Sequence, residues 1–161
     1  MMKIVLKMIL PLALIAAVAG ASHAGSHGDK AAKSAIKARQ AQMALYAFNL
    51  GGLGAMAKGE AEYNAEQAAA MAGNLQALVN LSGGAMWPQG SDSTAMPGMT
   101  RAKVETWSTY PAVVEKQKAL NMAVAELVKV AGDGQAALGG ALGAVGKGCG
   151  GCHKPYREPK K

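Results

Sequence analysis

The chain has 161 residues and a formal net charge of +7, with half of its residues hydrophobic and 4% aromatic. That length supports one domain, and an alanine-rich, aromatic-poor composition favours closely packed helices over pleated sheets. The lysines are scattered without interleaved aromatics, which argues against nucleic-acid binding, and two cysteines are too few for a framework of structural disulfides.

The first two dozen residues read as an export leader. Met1, Met2, Lys3 and Lys7 form a basic start, and Met8 to Ala19 form an apolar run too short to span a bilayer. Small residues at Ala19-Gly20-Ala21 and Ser22-His23-Ala24 offer two cleavage sites. The later one is preferred, giving a signal peptide at 1–24 and a mature domain at 25–161 with no membrane attachment. A retained anchor is the competing reading. Cleavage removes Lys3 and Lys7 and no acids, so the formal charge falls from +7 to +5.

Four helical segments follow. The first is expected from Lys30 to Met56, where Ile36, Met43, Leu50 and Ala57 recur every seven residues beside Tyr46 and Leu53. Lys58-Gly59-Glu60 marks its end. The second opens on Asn64 as a cap, with Gln67 three residues on, and runs to about Leu81 through Met71, Leu75 and Leu78. Gly83-Gly84 stops it, and from Gly83 to Thr100 four glycines and two prolines predict a long crossover around Trp87. The third is expected from a Thr100 cap to Ala131 along Val113, Leu120, Val124 and Leu127. Pro111 must either bend it or divide it in two. The fourth, with Asp133 as cap, carries Leu138, Leu142, Val145, Cys149 and Cys152 on one stripe. Four antiparallel helices with two short turns and one long connection make an all-α four-helix bundle.

That last stripe ends in Cys149-Gly150-Gly151-Cys152-His153, which contains both cysteines of the chain. On a helix these three side chains project from one face within about 6 Å of rise. Two thiols can add to the two vinyl groups of one haem while the imidazole reaches its iron, the c-type attachment pattern. A thiol redox site would need a βαβ setting, and the flanks show no β-branched runs. A closed zinc site would need a second ligand pair, but His23 and His27 lie at the far end of the chain. Covalent haem attachment is extracytoplasmic in bacteria, so the leader and the motif agree on a periplasmic location.

The chain resembles the cytochrome c′ family on Ile36-Lys37-Ala38-Arg39-Gln40, Ala57-Lys58-Gly59, Trp87-Pro88-Gln89-Gly90-Ser91, Ala102-Lys103 with Trp107, and Cys149 to Arg157 as CxxCHxxYR. The C-terminal position of the motif separates this family from globular c cytochromes, which carry it near the N-terminus. The resemblance implies one haem c, with thioether bonds from Cys149 and Cys152 and an axial bond from His153. It also implies a five-coordinate, high-spin iron with Met43 as the apolar cover of the open face. Arg39 and Gln40 match propionate contacts, Arg157 matches the basic residue beside the histidine, and Arg101 falls near a haem contact that is often acidic in the family. Pro111 and Gly150-Gly151 depart from the usual pattern.

Two functions of different classes follow. One is a non-enzymatic ligand-binding protein that takes nitric oxide or carbon monoxide and also passes electrons to a redox partner protein. The other is a low-spin electron carrier of the cytochrome c556 type, with Met43 or Met56 as sixth ligand, methionine being an established axial ligand that raises the potential. Peroxidase turnover lacks a distal histidine to carry protons. Gly51, Gly52, Gly54 and Ala55 on the first helix suit the close approach of a homodimer.

Overall fold

The computed structural model describes residues 23–160, so the leader's basic start and apolar run lie outside the described residues. The chain folds into α1 (His23–Lys58), α2 (Ala65–Val79), α3 (Glu105–Ser108), α4 (Tyr110–Val130) and α5 (Gln135–Tyr156), with a 3₁₀ turn at Gly83–Met86. Among the described residues no helix is long and apolar enough to cross a membrane.

α1 contains ten alanines, which lose no side-chain freedom on entering a helix, against five glycines. It ends where Gly59 takes φ 74°. There Gly59 N–H donates to Met56 O at 3.1 Å and Glu60 N–H to Ala55 O at 2.9 Å, the paired bonds of a Schellman cap. α2 starts as its sequence predicts, with Asn64 Oδ1 accepting from Gln67 N–H at 2.8 Å.

The short turns at one end of the bundle are latched together. Tyr63 donates its hydroxyl proton to Ala131 O at 2.9 Å and accepts from Gly134 N–H at 2.9 Å. Gly134, with φ 124° and ψ 162°, occupies a backbone region reserved for glycine and is the residue preceding α5. Asp133 is therefore not the cap of that helix: the sharp reversal at Gly134 delivers the chain into α5 without a side-chain acceptor.

α1 packs on α2 and α5, and α4 packs on the same two neighbours, giving a four-membered ring of antiparallel helices. The main core contains Leu53, Met56, Leu75, Val124, Leu127, Leu138 and Val145, all buried, with Tyr46, Leu50 and Cys149 at its margin. A second, smaller cluster joins Ala32 and Ile36 of α1 to Met96 of the crossover, with Met99 against it. The stretch of α1 from Arg39 to Met43 lies between the two clusters, level with the cysteine-bearing end of α5.

The third predicted helix divides into two. Thr100 does not cap it, because its hydroxyl accepts from Arg39 and from Ala102 N–H instead. The chain then runs non-helically to α3, and α4 begins with Pro111 in its first turn. Proline fits there because the first turn's N–H groups have no helical partner in any case. Gly52 also departs from its expected role: a Cβ on it would lie 2.7 Å from the Met71 thioether, so its smallness serves the α1–α2 contact within the chain.

Glycine has different uses along α5. A Cβ on Gly148 would sit 3.1 Å from Leu120 Cα, so its smallness sets the approach of α5 to α4, whereas a Cβ on Gly140 would meet nothing within 4 Å. Gly140→Ala is expected to raise stability by about 0.5–1 kcal/mol through helix propensity. Gly148→Ala is expected to lower it, as backbone rather than a flexible side chain must yield. Thermal unfolding of the two variants followed by circular dichroism checks the opposite signs.

Candidate haem site

The end of α5 is fixed from two sides. On one, Gly148 lets it press on Leu120 of α4. On the other, the segment after the crossover pairs with its tail: Lys103 N–H donates to Tyr156 O at 3.0 Å, Glu158 N–H donates to Arg101 O at 2.8 Å, and Ala102 bridges Arg157 in antiparallel fashion. Thr109 Oγ1 adds a 3.1 Å hydrogen bond to the Tyr156 hydroxyl. These contacts hold Gly150-Gly151 in helix despite their low propensity.

Cys149, Cys152 and His153 are all half-buried. Both cysteines are free. Burial pushes their thiols up, Cys152 more so through Cys149 and less so through the Lys116 cation. They therefore stand as neutral thiols at pH 7. Burial holds the His153 imidazole below its ordinary value of 6.5, and the positive charges of Arg157 and Arg101 add to the effect. Its lone pair is thus free for a metal at neutral pH. Tyr46, packed near Cys149, is pushed up to about 12, by burial first and the Cys149 sulfur second, with a hydrogen bond from Gln42 opposing.

His153 opens onto a shallow cleft of about 430 Å³. Arg101, Gly150, Lys154, Arg157, Glu158, Pro159 and Lys160 complete its lining. The predicted pair Arg101 and Arg157 thus meet at the histidine from the crossover's far end and the tail of α5. Arg101 Nη1 donates to Glu158 O at 3.3 Å.

The distal set behaves differently. Arg39 is 3% exposed, and four of its five N–H donors are engaged. Nη1 donates to Met86 O at 3.0 Å and to Ser91 Oγ at 2.8 Å; Nη2 donates to Ser91 O and to Thr100 Oγ1 at 3.0 Å. Its guanidinium also lies 4.5 Å from the Trp87 ring centre and 5.9 Å from that of Trp107. Only Nε remains for a propionate, so the structure makes Arg39 first of all the clamp between α1 and the crossover. Burial lowers its affinity for a proton while Asp92 raises it. Gln40 Nε2 donates to Met99 O at 2.8 Å. Met43, 40% exposed, is outside both core clusters. Met56, the other methionine considered as an axial ligand, is 2% exposed in the main core.

Sequence reasoning missed the acceptors Ser91 and Thr100 and the role of the tryptophans as a cation–π platform. Trp107 Nε1 donates to Trp87 O at 2.9 Å, which closes the crossover over the arginine. A signal was present: an isolated arginine among apolar positions of α1 needs acceptors from elsewhere, and the crossover is where tryptophan and serine cluster.

The donor set fits a covalently held haem. Two neutral thiols and one unprotonated imidazole share a helix end, and Thr106 Oγ1, in the short helix packed on α5, is a buried donor without a protein partner. These features define a c-type haem protein built on a four-helix bundle. Residues 34–157 match the family described as Cytochrome C′. The chain is 36% identical over 129 residues to cytochrome c-554 of Cereibacter sphaeroides, covering 76% of this chain and 92% of that one. A solved cytochrome c′ from a Rhodobacter superposes with a TM-score of 0.77 at 35% identity, over 80% of this chain and 98% of the other. A nitric oxide complex of a cytochrome c prime variant from Alcaligenes xylosoxidans gives a TM-score of 0.70 at 31% identity, over 80% and 97%. The chain belongs to the cytochrome c′ family and binds one covalent haem c.

Two predictions concern the clamp and its loop. Arg39→Lys is expected to cost about 2–3 kcal/mol in urea unfolding, since an ammonium cannot reproduce the planar fork and leaves buried acceptors unpaired; a cost below about 0.5 kcal/mol would remove the clamp. Asp92 accepts from Ala95 and Thr94 N–H groups, chiefly the former, which holds its carboxyl below the ordinary 3.8. Its contribution is present above pH 3.8 and lost as pH falls through the lower folded value. Asp92→Ala should therefore be about 1 kcal/mol less stable at pH 7, with the deficit shrinking in urea titrations at strongly acid pH.

Proposed function

We propose that the protein is a periplasmic, high-spin c-type cytochrome that binds nitric oxide or carbon monoxide and passes electrons to a redox partner without acting as an enzyme. The haem supplies an iron that both takes a diatomic ligand and changes oxidation state. Cys149 and Cys152 hold the porphyrin, and His153 provides the single axial nitrogen.

The observation that carries this reading is the company His153 keeps. A strongly donating metal-bound histidine hands its second N–H to a carboxylate, but here two arginines flank the imidazole. Their positive charge weakens the nitrogen as a donor, and the weaker ligand field favours a high-spin iron. On α1 the residues level with the motif are an engaged guanidinium, an amide bonded to Met99 O and the Met43 thioether. None is a proton carrier at neutral pH, so the stretch suits passive ligand entry better than peroxide chemistry. Met43 covers the open face and Gln40 orders the crossover beside it. The nitric oxide complex of the Alcaligenes relative supports the same ligand class.

A second reading rests on Met43 alone. Its thioether sulfur is a haem-iron ligand type that raises the potential, and as the sixth ligand it would make the chain a low-spin Met/His electron carrier. Exposed Leu45 and Phe48 on α1 offer an apolar face to a second copy in a homodimer.

The ferrous absorption spectrum with and without nitric oxide tests the first reading, which expects a broad Soret band, no sharp α band and a clear change on gas addition. Met43→Ala should leave the ferrous spectrum high-spin and raise the on-rate of a bulky isocyanide roughly tenfold, a barrier change of about 1.4 kcal/mol. A methionine–iron charge-transfer band that disappears in Met43→Ala would instead establish the second reading.

A further inference from the structure

The charges of this bundle are sorted along its length. At the cysteine-bearing end, Arg101, Lys154, Arg157 and Lys160 line one cleft with a single carboxylate, Glu158. All five residues are exposed. At the opposite end, where the short turns are latched by Tyr63, the exposed residues Glu60, Glu62, Glu66 and Asp133 lie with Lys58, which is paired with Glu60 at 3.7 Å, and with Lys129 in the last turn of α4, which is paired with Glu126 at 2.7 Å. Between the ends, Lys118 and Glu115 cancel locally at 2.8 Å. The 22 residues of α5 separate the two ends by about 33 Å at 1.5 Å per residue. The result is a dipole whose positive end surrounds His153. Even the two negative propionates of a bound haem leave that end cationic.

We infer that the cleft bounded by Arg101, Lys154, Arg157 and Lys160 is the electron-exchange face, and that it docks an acidic redox protein while the Glu60–Glu66 end is turned away from it. This rests on the electron-transfer part of the proposed function. Separated charges of this kind orient an approaching partner before contact and raise its encounter rate. At an ionic strength of about 0.01 M the screening length is roughly 30 Å, comparable to the bundle, so both ends act together; near 0.15 M it is about 8 Å and the orienting torque is lost.

Stopped-flow oxidation of the ferrous holoprotein by two small reagents, anionic ferricyanide and cationic tris(phenanthroline)cobalt(III), reads the sign of this face directly. The ferricyanide rate should fall several-fold, up to about tenfold, from low to physiological ionic strength, and the cobalt rate should not fall. Lys154→Gln with Lys160→Gln should cut the low-salt ferricyanide rate about threefold and flatten its salt dependence. Glu62→Gln with Glu66→Gln at the far end should move the low-salt ferricyanide rate less than the lysine pair does, and in the opposite direction. Equal salt dependence for both reagents, or an unchanged ferricyanide slope in the lysine double variant, would overturn the assignment. A haem-free or non-oxidisable protein would instead strike the function beneath it, and the visible spectrum of each variant distinguishes the two failures.

Discussion

The requirement that two thiols and an imidazole stand together on one helix face governs the arrangement of the whole chain. α5 contains many glycines, and a free helix of that composition would fray. It is kept in register by packing on α4 through Gly148, by the Tyr63 latch at its beginning and by the 101–103 segment at its end. The glycine that admits close packing and the proline that opens α4 are thus two sides of one solution. A helix weak in propensity is held by neighbours strong in contact.

The second organising element is Arg39. A buried guanidinium is costly unless its donors are met, and here they are met by backbone and hydroxyl acceptors of a segment up to 61 residues away, with two indole rings completing the enclosure. In this chain its hydrogen-bonding capacity is directed at the crossover.

Much of this was legible in the residues. The heptad spacing of α1, the Asn64 cap, the long crossover and the CxxCH motif each name their structure through local chemistry, and all but one member of the heptad stripe, Met43, which lies outside both core clusters, are found where they were expected. The two caps fail for different reasons. Thr100 and Asp133 are good capping types, but Thr100 is claimed by a distant arginine and Asp133 is displaced by the glycine geometry at Gly134. The first claim leaves no mark on the neighbouring sequence, whereas the second is carried by the residue next in the chain. Arg101 was legible only as an anomaly, and its meaning came from the pairing that carries it to His153. Gly52, read as an outward-facing surface, turned out to accommodate Met71, because helix periodicity alone does not say which neighbour a small residue admits.

The crossover touches both sides of the haem region through a very short piece of chain. Ser91 and Thr100 grip α1, and the next three residues pair with the tail that follows His153. A strut of this kind gives the helix that carries Met43 and the tail beyond His153 one shared anchor, residues 91–103.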